Sequence, residues 1–586
     1  MNFWRKAFPY AVIAAVTFLV FMNTLSFPVM EGWDDNVFVT EISDYLNFRP
    51  GSIIHLVTMP SLGNYIPLVN LSYALDYSVG GLDGFMYHFQ NVLWHIVACV
   101  GLFNCIRLLG APSAVSLAVT LLYAVHPQRT ESVAWVSERR DVMCGAFYFW
   151  SAFFYLKFRD KKAFSLTAFI LFLCACLSKP AAVTMPVTLA MYEVWKNRSI
   201  LPVSKYLKLL PFFAVSLLVS AGTSILQLNP SSAVTIIEKL LTILHNFSWY
   251  ALKNIYPDEM APVYPKLVFD GSLILKISIF YILVAAVIFL VAIRSRKFCI
   301  YTVLPFLIAY SVSLLPTIGF VPIGIGVWDY ADRYSYIPSA ILAAGVALML
   351  SSTAEKLSLR NPLYGKKIQQ AGLLVMSAMI LFLAWITFFY NYTWKSYSDL
   401  VEITVSNNPP NRNFLCLYAI NMFAENKNDD PERCADYLLS VENKESFDHN
   451  GKSLYYTAMA VKAAVLYRKG NTTEALKLFN ESFTHINVFV FQNPSPYTKL
   501  LETAAGCYLK SGKKKRALRC YDLIAANFEH GKENKALFHF YKGVSFYIRG
   551  NLSKAEMEFS EASVLAPDDR NIKANLDEVR KAQNQK

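Results

Sequence analysis

The stretch LILKISIFYILVAAVIFLVAI, residues 273–293, contains a single charged side chain, that of Lys276. A helix rises about 1.5 Å per residue, so a run of this length spans the hydrocarbon core of a bilayer, which is about 30 Å thick. Similar apolar runs recur toward both ends of the first 393 residues. We predict roughly eleven spanning helices by hydropathy and length, at 8–28, 87–108, 112–126, 141–157, 163–178, 180–195, 206–226, 273–293, 298–316, 336–352 and 371–391.

The composition of the whole chain agrees with a large membrane domain. Of its 586 residues, 55% are hydrophobic and 17% are charged, whereas soluble domains carry about 25% charged residues. The apolar runs stop near residue 393, and the rest of the chain has the pattern of Lys- and Glu-rich soluble helices. The sequence therefore predicts an all-α protein with a membrane domain at 1–393 and a soluble domain at 394–586.

Basic residues in short loops predict the orientation of the membrane domain, because cytoplasmic loops are enriched in Lys and Arg. Arg5 and Lys6 precede the first span, and every second loop after it is basic. The alternation holds only if the stretch 234–255, which contains Glu238 and Lys239, does not cross the membrane but forms an interfacial or re-entrant helix. An odd number of spans then places the N-terminus in the cytoplasm and the soluble domain on the other side.

The soluble domain carries a helical repeat pattern. Its clearest unit places Gly543, Ala555, Phe559 and Pro567 at the spacing of a tetratricopeptide repeat, with small residues where two helices cross and an aromatic wedge beside them. We predict a tetratricopeptide-type α-solenoid, which presents a concave surface for a peptide or, alternatively, only braces the membrane bundle. Two earlier units repeat the pattern, at Gly470, Ala475 and Phe479 and at Gly512, Ala517 and Tyr521.

The predicted outer face of the membrane domain collects ionisable residues, which at membrane depth are costly and by default indicate function. A long first outer loop, 29–86, opens with an aspartate pair. Carboxylates opposite several cations suit a reaction that needs a base for a hydroxyl and positive charge for a phosphate leaving group. The polar segments on this face are 32–36, 126–141, 178–180, 256–265 and 329–334.

Each of these segments also has a purely structural interpretation. Asp34 and Asp35 can form a solvated collar after the first helix, and Arg139 can anchor a helix end at the interface. Lys179 can extend to the lipid headgroups, and Arg333 can pair with a neighbouring aspartate. These interpretations explain the segments one by one, but they do not explain why all of them fall on one face.

The composition argues against nucleic-acid binding and against a cysteine-based metal site. The net charge of +13 does not indicate nucleic acid, because much of the excess lies in membrane loops and no basic stripe is interleaved with stacking aromatics. The ten cysteines show no metal-ligand spacing.

Six blocks of the chain together resemble a known family: WDD (33–35), YHFQNVLWH (87–95), HPQRTESVAWVSERRDV (126–142), LSKPAAVTMP (177–186), YPDEMAPVYP (256–265) and ADRYSYIP (331–338). They are similar to the bacterial relatives of the transmembrane-and-tetratricopeptide-repeat O-mannosyltransferases, which belong to the GT-C superfamily of polyprenol-dependent glycosyltransferases. The blocks occur in order over most of the membrane domain, and 126–142 and 331–338 are the most specific. The chain departs from the family pattern at Gln90 and Glu193.

The resemblance implies a sugar donor carried on a polyprenyl or dolichyl phosphate and transfer, with inversion, to Ser or Thr hydroxyls of a protein. Mannose is the expected sugar. Asp34 or Asp35 would take the proton from the acceptor hydroxyl, and Asp34, the first of the pair, is favoured. No metal is required, because cationic side chains can stabilise the phosphate, although an aspartate pair is able to hold a divalent ion.

The resemblance also implies roles for the other polar residues of the outer face. Asp141 would hold Arg139 in place. The cations that would stabilise the departing lipid phosphate are Arg333, Lys179 and Arg139, and the residues that would orient donor or acceptor are His126, Glu131, Asp141 and Asp332.

The SERRDV sequence at 137–142 resembles bacterial members, which favours a bacterial inner membrane with the repeats in the periplasm, or an organelle lumen if the protein is eukaryotic. Two other functions stay open. The same bundle can glycosylate a lipid or a surface glycan, or the chain can be a non-catalytic membrane-anchored scaffold. A protein acceptor, held by the repeats, is favoured because helical repeats usually bind protein.

Overall fold

The computed structural model describes residues 2–30, 34–159, 165–200, 202, 204, 206–226, 235–265, 267–318, 330–360, 362–406, 412–424, 426, 429–441, 454–485, 495–528 and 535–585. The chain divides into two compact units, Met1–Asn407 and Asn408–Lys586. Helices form both units, and the described residues contain no β-strand. The prediction of an all-α protein is confirmed.

The first unit is a helix bundle. Its helices are α1 (Asn2–Phe21), α2 (Pro50–Thr58), α3 (Pro67–Gly80), α4 (Gly84–Leu108), α5 (Ser113–Ala124), α6 (Thr130–Ala134), α7 (Arg139–Phe158), α8 (Leu166–Cys176), α9 (Met185–Asn197), α10 (Leu210–Leu226), α11 (Ile236–Lys253), α12 (Gly271–Arg294), α13 (Arg296–Phe298), α14 (Leu304–Leu314), α15 (Tyr336–Arg360), α16 (Pro362–Tyr390) and α17 (Tyr397–Ser406).

Seven of the described helical segments are long and apolar enough to cross a membrane. The segment Gly271–Arg294 is the most apolar of them, with a mean hydropathy of 2.8, and only 6% of its most apolar window is buried. Such a helix is stable only where its side chains face lipid instead of water. The protein is therefore a multi-pass membrane protein, and the number of eleven crossings stays a prediction, since α5 and α8 are shorter than a full span.

Helix α11 is amphipathic with its polar face turned inward. Its side chains Ile236 and Ile237 are 79% and 70% exposed, whereas His245 and Asn246 are buried. The Thr235 hydroxyl and the Glu238 carboxylate cap its first turn. An exposed apolar stripe on a helix with a polar inner face is the arrangement expected for a helix that lies against lipid.

The segment 29–86, predicted as a long loop, contains the helices α2 and α3. Proline occupies the start of both helices, at Pro50 and Pro67, where its missing N–H leaves no hydrogen bond unmade. Tyr73 of α3 is fully buried, and its hydroxyl donates to the Val136 carbonyl at 2.9 Å. The segment thus packs on the loop that carries several predicted site residues.

The second unit is built from helical hairpins. At the turns of the predicted repeats, Gly470, Gly512 and Gly550 have φ angles of 90°, 72° and 85°, a backbone region that favours glycine. A Cβ atom on Gly543 would lie 2.7 Å from the Phe559 ring, so glycine is needed where these two helices cross. The helices of this unit are α18 (Arg412–Ala424), α19 (Asp429–Val441), α20 (Leu454–Arg468), α21 (Thr472–His485), α22 (Ser495–Lys510), α23 (Lys514–Asn527), α24 (Lys535–Arg549), α25 (Leu552–Leu565) and α26 (Arg570–Asn584).

Candidate functional site

Ion pairs connect charged side chains at one end of the membrane bundle into a single charge cluster. Short connecting elements carry most of its members: α6, the 3-10 turn Val136–Glu138 before α7, the loop between α8 and the 3-10 turn Pro180–Thr184, and the 3-10 turn Asp332–Ser335 before α15. The charge cluster consists of Asp34, Glu131, Glu138, Arg140, Asp141, Lys179 and Arg333.

Glu138 lies at the centre of the charge cluster, and its side chain is fully buried. Its Oε1 pairs with Arg140 and lies 3.4 Å from Arg333 Nε, and its Oε2 lies 3.3 Å from Lys179 Nζ. One carboxylate thereby holds three cations around a common point. Glu138 and Arg140 both lie in the block 126–142, but the sequence does not predict either of them as a site residue.

Arg333 is held from two sides. Its guanidinium pairs with Glu131 as well as with Glu138, and its backbone N–H donates to Glu131 Oε2 at 2.8 Å. The rings of Tyr334 and Trp135 lie 4.8 and 5.8 Å from the guanidinium carbon, so the cation is also placed against two aromatic faces. Arg333 and Glu131 therefore come together as members of one site.

Lys179 and Asp141 form a close ion pair within the charge cluster, with Nζ 2.5 Å from Oδ1. The Ser132 hydroxyl donates to the other oxygen of Asp141 at 3.2 Å. The expectation that Asp141 holds Arg139 is therefore wrong. Asp141 lies on the first turn of α7, where its carboxylate reaches the lysine that follows α8.

Arg139 belongs to a different buried group. Its Nη1 lies 2.5 Å from Asp76 Oδ2, its Nε donates to the Asn91 side chain at 2.8 Å, and its Nη2 donates to the Tyr87 carbonyl at 2.7 Å. The side chains of Arg139 and Asp76 are both fully buried. The expectation that Arg139 stabilises the donor phosphate is corrected by this geometry, because its donors are already committed to α3 and α4.

The two aspartates of the predicted catalytic pair have different surroundings. The Asp34 side chain is 35% exposed, and its Oδ2 lies 3.8 Å from Arg140. Burial raises the pKa of Asp34, and Arg140 and Arg333 oppose that increase. Asp34 is thus a carboxylate at the edge of the charge cluster that keeps access to solvent.

Asp35 is buried, and both of its carboxylate oxygens accept hydrogen bonds from within the protein. Its Oδ2 accepts a hydrogen bond from the Met30 N–H at 3.1 Å, and its Oδ1 accepts from the Ser137 N–H at 2.9 Å and from the Ser137 hydroxyl. Burial raises its pKa to about 6, although these hydrogen bonds favour the charged form. Asp35 thereby joins the end of the first loop to the turn that carries Glu138.

Two further predicted residues meet at Gln128 beside the charge cluster. Asp332 accepts a hydrogen bond from the Tyr264 hydroxyl at 2.7 Å and from the Gln128 amide at 3.4 Å. The Nδ1 of His126 accepts from the Gln128 backbone N–H at 3.3 Å, which caps the turn Pro127–Arg129. Trp33 and Asp329, which belong to the quoted polar segments, lie outside the described residues.

The carboxylates of the charge cluster differ in how readily they take up a proton. Burial raises the pKa of Glu131 to about 7, against the attraction of Arg333. Burial also acts to raise the pKa of Glu138, but the charges of Arg140 and Lys179 hold it well below its usual range. Glu138 therefore stays ionised near neutral pH, whereas Glu131 can bind a proton when another anion approaches.

The chemistry available here combines a solvent-accessible carboxylate with neighbouring guanidinium and ammonium groups. Within the described part of the chain, no group of three or more His, Cys, Asp or Glu side chains is placed to hold a metal ion. The arrangement can accept a proton at Asp34 and can stabilise an anion near Arg140, Lys179 and Arg333.

Comparison with known proteins gives partial matches to named transferases, and no protein-family model matches the chain. It is 30% identical over 287 residues to the protein O-mannosyl-transferase tmtc2 of Xenopus laevis, which covers 42% of this chain and 34% of that protein. It is 31% identical over 237 residues to TMTC2 of Homo sapiens, covering 37% and 28%. For Tmtc1 of Drosophila melanogaster the identity is 30% over 181 residues, covering 29% and 21%.

The chain thus spans about a third or less of the length of these relatives. In sequence, this chain is a relative of proteins named as protein O-mannosyl-transferases.

Proposed function

We propose that this chain is a membrane glycosyltransferase that moves mannose from a polyprenyl- or dolichyl-phosphate donor to Ser or Thr hydroxyls of a protein, with inversion at the sugar. The observation that carries the proposal is the accessible Asp34 carboxylate at the edge of a cluster of buried cations. The similarity to proteins named as O-mannosyl-transferases supports the reaction type and the sugar.

Asp34 is the base in this proposal. An inverting transfer needs one carboxylate that can take the hydroxyl proton as the acceptor attacks. Asp34 has the exposure that contact with an acceptor requires, and its raised pKa makes it a stronger base than a fully solvated aspartate. Asp35 is a positioning residue, because both of its oxygens already accept hydrogen bonds.

Arg333, Lys179 and Arg140 stabilise the departing lipid phosphate, with Arg140 in the place first expected for Arg139. Every one of these cations contacts Glu138, so their charges converge on one region. A guanidinium can present two N–H groups to a phosphate in a fixed geometry. Protonation of Glu131 would free part of Arg333 for this contact.

His126 and Asp332 orient donor or acceptor beside the charge cluster, and the repeats of the second unit hold the peptide acceptor. No metal is required for this chemistry, because the cationic side chains supply the charge on the phosphate side. The second unit lies in the periplasm of a bacterium in this proposal, or in an organelle lumen if the protein is eukaryotic. The basic loops on alternate sides of the bundle support this orientation.

The test is transfer of labelled mannose from a polyprenyl-phosphate donor to peptide and to endogenous protein acceptors by the purified full chain. Wild type is compared with Asp34→Asn and Arg333→Ala, and Asp44→Asn serves as the control because Asp44 is an exposed carboxylate of the same outer segment. We expect transfer by wild type and the control, and none above background by the other two.

Three outcomes would replace the proposal. Transfer to lipid or glycan but never to protein would favour the same bundle acting on another acceptor. Transfer by both Asp34→Asn and Arg333→Ala at the wild-type rate would contradict the proposed site. Absence of transfer with every donor and acceptor, in a folded protein, would favour a membrane-anchored scaffold.

A further inference from the structure

A second feature of the membrane unit lies away from the charge cluster. An apolar cleft with a cavity volume of about 120 Å³ opens between α4, α7, α9, α14 and α15. Helix α7 begins in the charge cluster, and the cleft is lined by its second half, from Tyr148 to Leu156. At about 1.5 Å per residue, these side chains lie roughly 14 to 26 Å along the helix from Arg139. The cleft therefore faces the end of the bundle opposite to the charge cluster.

The lining of the cleft suits a hydrocarbon chain. Alanines at 152, 309, 340 and 344 open the space, and leucine, phenylalanine and methionine side chains surround it. Two hydroxyl groups in the lining have partners within the protein: Tyr148 donates to Thr188 Oγ1 at 3.1 Å, and Thr188 donates to the Thr184 carbonyl at 3.5 Å. A lining made almost entirely of apolar side chains favours an apolar occupant over water.

Arginine side chains lie against the aromatic rings that line the far end of this cleft. The Arg198 guanidinium lies 6.0 Å from the centre of the Trp195 ring, and the Arg159 guanidinium lies 5.5 Å from the Tyr192 ring. Trp195 also packs against Phe306 at 6.0 Å, so Arg198 sits where α9 meets α14. Arg198 is exposed and donates to the Thr302 hydroxyl.

The same end of the bundle carries an excess of positive charge. Glu193, which is buried, lies 3.3 Å from Arg159 and 2.9 Å from Lys208, and it accepts a hydrogen bond from the Tyr155 hydroxyl. One carboxylate therefore faces two cations, and Arg198 adds a further positive charge at the rim. By the positive-inside rule this end lies at the cytoplasmic leaflet, which is rich in anionic lipids.

We propose that the cleft binds an anionic phospholipid of the cytoplasmic leaflet, with one acyl chain between α9 and α14 and the phosphate on Arg198. The apolar cleft corresponds to the acyl chain of a lipid. The aromatic rings at its end correspond to the membrane interface, and the cations against those rings correspond to the position of the head group. Arg159 and Lys208 lie beside the head group, and Glu193 keeps them in place. This site is separate from the proposed donor site and does not depend on transferase activity.

The test is native mass spectrometry of the full chain released from nanodiscs that contain phosphatidylglycerol, phosphatidylethanolamine and polyprenyl phosphate. Arg198→Asn removes the charge, and asparagine accepts the φ of 50° at this position. Ala309→Phe fills the cleft from α14. Arg294→Asn is the matched control, because Arg294 is an exposed cation at the end of α12, a helix that does not line the cleft.

We expect wild type and Arg294→Asn to retain phosphatidylglycerol in preference to phosphatidylethanolamine. Arg198→Asn should lose about fivefold in retention, the effect of about 1 kcal/mol per basic residue near an anionic surface. Ala309→Phe should retain no lipid at this site while it elutes as a folded monodisperse protein. The Asp34→Asn variant should retain lipid as wild type does, which separates this result from the transferase assay.

Three results would overturn the proposal. Preferential retention of polyprenyl phosphate would assign the cleft to the sugar donor instead of a phospholipid. Equal retention of charged and zwitterionic phospholipids would remove the role of the cations. If Arg198→Asn and Ala309→Phe both retain as much phosphatidylglycerol as wild type, the lipid binds elsewhere.

Discussion

Arg139 Nη1 lies 2.5 Å from Asp76 Oδ2, and both side chains are fully buried. The pair joins the first turn of α7 to α3, while further hydrogen bonds join Arg139 to Asn91 and the Tyr87 carbonyl on α4. The Tyr73 ring, on α3, lies 4.5 Å from the guanidinium. Arg139 thereby joins α3 to α4 and α7 of the membrane bundle beside the charge cluster.

Asp76→Ala should lower the free energy of unfolding by about 3–5 kcal/mol, because it leaves the Arg139 charge buried without a counter-charge. Thermal unfolding of the purified protein in detergent measures the change. Asp44→Ala, at an exposed position of the same segment, should alter the free energy of unfolding by less than about 0.5 kcal/mol. Equal melting temperatures for Asp76→Ala and wild type would contradict a role for this pair in stability.

Asp34→Asn and Asp35→Asn should separate activity from stability. Asp34→Asn should reduce the rate of transfer by about 10²–10⁴-fold, the range for loss of a general base, with an unchanged melting temperature. Asp35→Asn should lower the free energy of unfolding by about 1–3 kcal/mol, because the hydrogen bonds to Ser137 are weakened. Parallel activity and melting measurements decide the assignment, and a reversed pattern would make Asp35 the base.

Donor binding should depend on pH through Glu131. Burial raises the pKa of Glu131 to about 7, and a donor phosphate near Arg333 would favour its protonated form further. The KM for the donor should therefore rise with pH above about 7, by at most about tenfold per pH unit for one coupled proton. Below that range, protonation of Asp34 should reduce the transfer rate, since its pKa is also raised.

Glu131→Gln provides the comparison for this pH dependence. Glutamine resembles the protonated acid in shape and charge, so the KM of this variant should change little between about pH 6 and about pH 8. Initial rates at several donor concentrations give KM at each pH. A wild-type KM that does not depend on pH would separate donor binding from the protonation of Glu131.

Glu138→Gln should destabilise the free protein more than the donor-bound protein. The substitution removes the negative charge shared by Arg140, Lys179 and Arg333, which then repel one another. A bound lipid phosphate supplies negative charge at the same place, so saturating polyprenyl phosphate should raise the melting temperature of Glu138→Gln more than that of wild type. Equal increases would argue that the phosphate binds away from these cations.

Gly543→Ala should loosen the last hairpin of the second unit. The new Cβ would lie 2.7 Å from the Phe559 ring, which is buried and unable to move away freely. Gly506→Ala is the matched control in α22, because the nearest atom to its Cβ is 3.5 Å away and alanine favours helix by about 1 kcal/mol. Hydrogen exchange of α24 and α25 in the full chain should accelerate only in Gly543→Ala.

The sequence by itself determined the helices and the repeats, because these depend on local chemistry. An apolar run such as 273–293 must satisfy its backbone groups internally in lipid, and only a helix does so within one segment. The glycines at 470, 512 and 550 mark turns because few other residues adopt their positive φ angles. Alternation of basic loops also predicted one face for Asp34, Glu131, Lys179 and Arg333, and the structure places them in one cluster.

Only the tertiary structure decided which charged groups meet. Arg139 and Arg140 are neighbours in sequence, but successive residues of a helix point about 100° apart, so the first faces Asp76 and the second faces Glu138. Asp34 and Asp35 differ in the same way, one at the edge of the cluster and one buried against Ser137. Asp76 is distant in sequence from Arg139, and Ser137 is distant from Asp35. A buried charge is stable only beside the group that compensates it, so the tertiary structure decides these pairs.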